Sequence, residues 1–269
     1  MNIHRILNMF KKDPACGFPL DDLPEEILIT VFCFLPVKDL QNCCLVCRKW
    51  RDIVTSQTLW KEKCERDKRI LPVIIFQELP HNYYLNIYLK NPYGRNLVKN
   101  PSGTGRLSYW KITHNDGEGW KVENPPQGSD PVPDTSIQYC FATSYGLSEK
   151  FQIVDLIKEG VHPEVLDQAL LDIEISEFHA ARFDCGSIYT LQVKLLDKNG
   201  IILEEYNSGK IEEAQWAGKR WSQEKHVFSN YKPGVRYIKF IHSGKDTQFW
   251  AGHYGSKMSQ ATVKFIKRS

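Results

Sequence analysis

Leu23-Pro24-Glu25-Glu26-Ile27-Leu28, then Leu35-Pro36, then Leu45-Val46-Cys47-Arg48-Lys49-Trp50-Arg51 and Leu59-Trp60 mark out a small helical module near the start of the chain. Pro24 suits the first turn of a helix, where its missing N–H costs nothing, and Glu25 and Glu26 sit well at the positive end of the helix dipole. Leu23, Ile27, Val31 and Leu35 recur every four residues, with Leu28 and Phe32 beside them, until Pro36 stops simple continuation. The spacing predicts a helix of about three turns. A single second helix is expected from Leu40, Cys43, Cys44, Cys47, Trp50 and Val54, which follow the i, i+3, i+4 rhythm, with Arg48, Lys49 and Arg51 on its wet side. Leu59 and Trp60 begin a third. Some 45 residues bury too little surface to be very stable alone, so an apolar face covered by a partner is physically reasonable. An ordinary helical subdomain would show the same periodicity.

The chain has 269 residues, 42% hydrophobic and 25% charged, which is globular composition with room for two units. A net charge of +3, dispersed along the chain, is too small to argue for a nucleic-acid or membrane partner, and neither nucleic acid nor membrane insertion is expected. Ile3, Ile6, Leu7 and Phe10 are interrupted by Lys11, Lys12 and Asp13 before a signal-peptide core develops, and no apolar stretch approaches the ~20 residues that cross a bilayer. Eight cysteines, three of them crowded at 43, 44 and 47, form no disulfide framework and lack a second ligand pair at zinc-finger spacing. Reduced thiols, a cytoplasmic address, no metal and no cofactor are expected.

Between 67 and 102 a helical linker is expected, from the run Ile70 to Phe76 and the face made by Tyr83, Tyr84, Leu85, Ile87, Tyr88 and Leu89. Beyond Gly103-Thr104-Gly105 the period changes to alternation broken by Gly, Pro, Asn and Asp, the pattern of an antiparallel sandwich. Strands are predicted over 120–123, 139–143, 152–156, 173–178, 188–196, 225–228, 235–242 and 261–266. Asn199-Gly200 is read as a primed-turn hairpin into Ile201-Ile202-Leu203, and a short helix is read after His162-Pro163.

The segment from Asp21 to Cys64 resembles the F-box, through which substrate receptors attach to the Skp adaptor of a cullin-RING ubiquitin ligase. The resemblance implies adaptor contact by Leu23, Pro24, Ile27, Leu28, Leu35 and Pro36. Further on, Asn91-Pro92-Tyr93-Gly94-Arg95-Asn96-Leu97, Asp116-Gly117-Glu118-Gly119-Trp120, Tyr231-Lys232-Pro233-Gly234-Val235-Arg236 and His242-Ser243-Gly244-Lys245-Asp246-Thr247-Gln248-Phe249-Trp250 resemble the F-box-associated domain of the sugar-recognising F-box proteins. That implies an α+β multidomain chain: an N-terminal extension (1–20), the helical F-box (21–66), the linker (67–102) and a β-sandwich (103–269) that is jelly-roll-like and galactose-binding-like, ten-stranded, with ligands bound on loops at one end.

A sugar ring presents a flat C–H face ringed by hydroxyls, so its site needs an aromatic plate and directional hydrogen bonds. Phe249-Trp250, bracketed by Gly244, Gly252 and Gly255, supplies the plate. By the same resemblance Trp250 stacks on the N-acetylglucosamine core of an N-linked glycan, Asp184 accepts sugar hydroxyls and Tyr145 forms another wall. Phe249 replaces the usual Tyr, and Ala251 stands where one binding pattern has Lys. The implied function is that of a non-catalytic substrate receptor of an SCF-type ubiquitin ligase, which selects high-mannose glycoproteins for ER-associated degradation. Two alternatives stay open: a receptor for non-glycosylated proteins, and a glycoside hydrolase, which would need two opposed carboxylates.

Overall fold

A computed structural model describes residues 23–73, 79–134 and 136–268. The candidate amphipathic residues Ile3 to Phe10, Cys16, and Ile74 to Phe76 of the apolar run lie outside the described residues. Two compact units divide between Tyr93 and Gly94.

In the first unit, α1 (Glu25–Cys33) opens at Pro24, whose carbonyl accepts the N–H groups of Ile27 and Leu28. It turns Leu28, Ile29, Phe32 and Cys33 inward. Pro36 opens α2 (Val37–Cys43) in the same way. The single helix expected from Leu40 to Val54 is two helices, because turn bonds from Leu45 N to Asn42 O and from Val46 N to Cys43 O end α2. Arg51 Nε then caps the Cys44 carbonyl at 3.1 Å, and Cys47 is extended (φ −156°) before α3 (Arg48–Thr55) starts. Ser56 Oγ accepts from Leu59 N to cap α4 (Gln57–Arg66). α5 (Tyr83–Lys90) packs on α4, with Trp60 and Tyr88 rings 5.4 Å apart. The core joins Leu28, Phe32, Leu35, Leu40, Trp50, Ile53, Leu59 and Trp60, with Phe32 edge-on to Trp50 at 5.0 Å. Lys63 is buried there, donating from Nζ to the carbonyls of Cys33 (2.8 Å) and Leu35 (2.9 Å), so it satisfies acceptors left open at the end of α1. Desolvation holds its pKa below the ordinary lysine value.

Among the described residues the second unit is a sandwich of eleven strands, one more than the resemblance implied. In chain order they are β1 (Lys111–Asn115), β2 (Lys121–Glu123), β3 (Cys140–Ala142), β4 (Ser148–Asp155), β5 (Leu171–Ala180), β6 (Ser187–Leu196), β7 (Ile202–Asn207), β8 (Ile211–Glu213), β9 (Ser222–Phe228), β10 (Tyr237–Asp246) and β11 (Lys257–Lys267). Two short helices, α6 (Leu156–Glu159) and α7 (Pro163–Asp167), join β4 to β5. One sheet runs β1-β4-β10-β6-β7 with β8 also on β6; the other runs β2-β3-β11-β5-β9. All pairs are antiparallel. β6 alternates as its sequence demands, with Tyr189, Leu191, Val193 and Leu195 inward. The hairpin after it is not the two-residue primed turn expected. Asp197 N bonds Ile201 O at 2.9 Å, the Asp197 carboxylate accepts from Asn199 N and Ile201 N, and Gly200 takes φ +82°, which makes a three-residue loop. Residues 94–102, placed above in the linker, belong to this unit: Leu97 N donates to Val263 O, and Asn96 Oδ1 accepts from Val263 N.

The interior between the sheets is partly polar. Lys150 is fully buried with Nζ 3.3 Å from the Trp120 ring centre and 3.6 Å from that of Phe141. Glu177 accepts from Tyr189 Oη (2.7 Å) and meets His242 Nδ1 at 2.6 Å, while Trp110 stacks on the imidazole at 4.5 Å. That short contact would favour an imidazolium, but complete burial outweighs it, aided by the Lys150 charge, and takes the His242 pKa down to about 4. The seven described cysteines are free thiols, and burial pushes Cys64 and Cys140 up to about 12.

Candidate functional site

Three loops meet at one end of the sandwich. β10 ends with Asp246 paired to Ser187 at the start of β6, and Thr247 N donates to Gly186 O, which brings the Phe249-Trp250 loop beside the one carrying Asp184. Asp246 N donates to Ser144 O and Gly255 N to Thr143 O, which adds the loop of Tyr145. A Cβ on Gly255 would stand 2.9 Å from Asp246 N, so only glycine permits that approach. The fully buried Asp246 carboxylate organises the plate: Oδ1 accepts from the N–H of Gln248 (3.1 Å) and Phe249 (2.8 Å), and Oδ2 from that of Trp250 (3.2 Å). Phe249 is held at φ +59°, a costly conformation for an aromatic residue. The residue is 73% exposed and Trp250 is 37% exposed, with Tyr254 edge-on to Trp250 at 5.6 Å.

Asp184 does not stand alone. Arg182 grips it bidentately, Nε to Oδ1 at 2.8 Å and Nη2 to Oδ2 at 3.1 Å, and holds its pKa below the usual carboxylate range. The same guanidinium lies 4.4 Å from the Tyr254 ring centre. A continuous chain of contacts, Asp184 to Arg182 to Tyr254 to Trp250, therefore links hydrogen-bonding group and plate. An ionised carboxylate has about four lone-pair sites, so Asp184 keeps acceptor capacity beside its two bonds to Arg182. Tyr145 is half-buried in its loop, beside the close approach of Gly117 to Gly146.

On the helical unit the six residues assigned to adaptor contact separate. Pro24, Ile27 (49% exposed) and Pro36 face solvent, and Leu23 is half-buried. Leu28 (2%) and Leu35 (3%) are corrections: the inward stripe of α1 takes Leu28 into the unit's own core, and Leu35 follows it there. Further exposed apolar side chains accompany Ile27. Phe34, one residue past α1, is on the side of Ile27, while Leu45 and Val46 occupy the turn that splits α2 from α3. Arg66 covers one face of Phe34, 5.0 Å from its ring centre.

Residues 20–66 match the F-box-like family and residues 88–265 the F-box associated region. Among relatives, the chain is 38% identical over 246 residues to F-box only protein 6 of Rattus norvegicus, covering 91% of this chain and 86% of that protein. It is 37% identical over 246 residues to F-box only protein 44 of Homo sapiens, covering 91% and 95%. The chain belongs to the F-box proteins that carry an F-box associated region. Among solved structures, a carbohydrate-binding module, TmCBM61 in complex with beta-1,4-galactotriose, is similar with TM-score 0.41 and 18% identity over 65% of this chain and all of that one.

As an F-box protein, the chain is a substrate-recognition subunit of an SCF-type ubiquitin ligase, joined to its cullin through a Skp adaptor. Among the described residues no group of three metal-ligating side chains clusters, and no helix is long and apolar enough to cross a membrane. Sequence reasoning did not find Arg182 and Tyr254 at the loop end of the sandwich, nor the exposure of Phe34, Leu45 and Val46 on the helical unit. Arg182 was legible only as a charge two residues before Asp184. Leu45-Val46 falls inside the apolar rhythm that predicts one continuous helix, which hides its exposure.

Proposed function

We propose that this F-box protein selects glycoproteins bearing high-mannose N-linked glycans, gripping the inner chitobiose, and presents them for ubiquitination in the cytosol after their exit from the endoplasmic reticulum. The observation that carries the reading is the exposed Phe249-Trp250 pair, fixed by the buried Asp246 and linked through Tyr254 and Arg182 to the Asp184 carboxylate. Trp250 offers a sugar its flat face, Asp184 accepts from hydroxyl or acetamide groups, and Tyr145 supplies a neighbouring wall. Hydrolysis is disfavoured by the same geometry. Asp246 spends its carboxylate on three backbone N–H groups and is closed to solvent, and Asp184 is held ionised by Arg182, so neither is placed to protonate a leaving group. One observation favours a non-glycosylated substrate instead: both Asp184 oxygens already have a partner in Arg182.

Calorimetry of the full chain with chitobiose and with a high-mannose glycoprotein tests the reading. Trp250→Ala is expected to cost about 2 kcal/mol of binding, as loss of a central aromatic anchor does. A well-folded wild type that binds neither ligand, or a Trp250 variant that binds equally, ends the glycan reading.

A further inference from the structure

Beside the plate lies a second feature that the glycan reading leaves unused. A cavity of about 820 Å³ opens between the 128–130 segment, the Asp184 loop and the β8–β9 loop, all within the sandwich. Its aromatic walls are Phe183, 47% exposed, and Trp216, 69% exposed. Soluble domains seldom leave two large rings side by side in water without use. Trp216 is held at φ +66°, a costly backbone state for a bulky residue. The β8–β9 loop that carries it is tied to the glycan end, since Gln215 Nε2 donates to Asp184 O at 3.1 Å.

Two glycines let the cavity's walls approach their neighbours closely. A Cβ on Gly128 would lie 3.0 Å from Arg182 Nε, and one on Gly218 would lie 3.1 Å from Ala181 Cβ. Ser129, in the cavity lining, has a hydroxyl buried with no hydrogen-bond partner among the described residues. Asp130 and Lys219, 3.5 Å apart, give the rim both signs of charge.

The aromatic pair and its position select the occupant. The Phe183 and Trp216 rings are 6.3 Å apart between centres and inclined at 57°, so they pack against each other and expose one joined apolar surface. A sugar ring stacks on a flat open plate such as Trp250 offers. Two joined rings at the mouth of a cavity instead pack against an apolar side chain, and the charged Asp130 and Lys219 at the rim can meet peptide N–H and C=O groups. The position agrees. Gly128 in the cavity wall touches Arg182, Arg182 lies over Tyr254, and Tyr254 meets Trp250. Cavity and plate are thus three contacts apart, on the order of 15 Å, which an extended peptide spans in about five residues.

We propose that the Phe183–Trp216 cavity binds an apolar side chain of the substrate's own polypeptide, within a few residues of the glycosylated asparagine. The proposal rests on the glycan reading, because it needs the inner sugar on Trp250 to bring the peptide there. It makes the receptor a reader of two features at once: a glycan core, and an apolar side chain that a native fold would bury. Joining two weak contacts through one short chain raises affinity by effective concentration without requiring either to be strong.

The test uses the full chain and calorimetry with three probes: the free high-mannose glycan, a glycopeptide carrying that glycan in a Ser-rich sequence, and the same glycopeptide with Phe placed in turn two to five residues either side of the asparagine. At one or more placements Phe is expected to tighten binding about tenfold over the Ser-rich peptide. Trp216→Ala and Phe183→Ala should each abolish that gain and leave the free-glycan affinity unchanged; Trp216 is exposed, so its variant is expected to fold. Normal glycan binding with no gain from Phe at any placement overturns the proposal and spares the glycan reading. Equal weakening of the free glycan by Trp216→Ala also overturns it, by making the cavity a saccharide subsite. Free glycan that fails to bind wild type defeats the glycan reading, and the proposal falls with it.

Discussion

Asp246→Ala should disable the plate without touching ligand. The carboxylate is fully buried and accepts three backbone N–H groups in succession, at 3.1, 2.8 and 3.2 Å. A hydrogen bond to a charged acceptor contributes about 1.5–3 kcal/mol, and a buried donor left unpaired is penalised separately. Two of the three bonds are long and all share one group, so their sum overstates the effect; a net loss of about 3 kcal/mol is reasonable. That loss falls on the loop, because the Asp246 carboxylate binds the Phe249 N–H and holds the residue at φ +59°. At 1.4 kcal/mol per tenfold, the ordered loop becomes roughly a hundredfold less favoured against its open forms. Hydrogen exchange reads this without a ligand: the amides of Gln248, Phe249 and Trp250 should exchange about a hundredfold faster. Chitobiose affinity should fall at least tenfold, since a site that is only fractionally formed binds in proportion. Asp246→Asn keeps one acceptor oxygen and should lie between. Unchanged protection of these three amides in a folded Asp246→Ala protein would refute the argument.

Two further outcomes follow from burial. On the F-box, Phe34→Asp or Leu45→Asp should weaken binding of the Skp adaptor by about 2 kcal/mol or more with little change in thermal stability, whereas Leu28→Ala should cost about 2–5 kcal/mol of stability; calorimetry with purified adaptor decides, and adaptor binding indifferent to both aspartates would move the interface elsewhere. His242 gives the sandwich an acid sensitivity. Its folded pKa of about 4 lies below the ordinary imidazole value of 6.5, so between those pH values the unfolded chain binds the extra proton. The stability is intact above pH 6.5 and declines as pH falls, by about 3 kcal/mol once pH is below 4. Urea unfolding of wild type and His242→Gln at pH 7 and pH 4.5 isolates this share; an equal decline in both proteins would assign it to other groups.

The sequence made the architecture legible where one periodicity dominates. β6 reads as a strand because Tyr189, Leu191, Val193 and Leu195 face the interior and the residues between them face out, and burial follows that alternation. It misled where local hydrogen bonds compete with periodicity. The i, i+3, i+4 rhythm runs unbroken from Leu40 to Val54, yet turn bonds at Leu45 and Val46 and the Arg51 cap on Cys44 break the helix, because a periodic pattern records which side is apolar and not whether the backbone is continuous. β1 escaped notice for the opposite reason: all five of its residues are exposed, so it carries no alternation to read.

The same distinction governs the site. Phe249-Trp250 was visible because an aromatic pair between glycines is a local signal, and the resemblance named Asp184 and Tyr145. What the residues do to one another was not visible. In the sequence Asp246 is a carboxylate four residues before Trp250, and the fold spends it on the backbone of the loop. In the sequence Arg182 is a charge two residues before Asp184, and in the fold it is the joint between Asp184 and Tyr254. Both groups serve by holding others in place, and both would be lost in a search for side chains able to touch a ligand. Substituting them should therefore alter recognition as strongly as substituting the plate, while leaving every ligand-facing side chain intact.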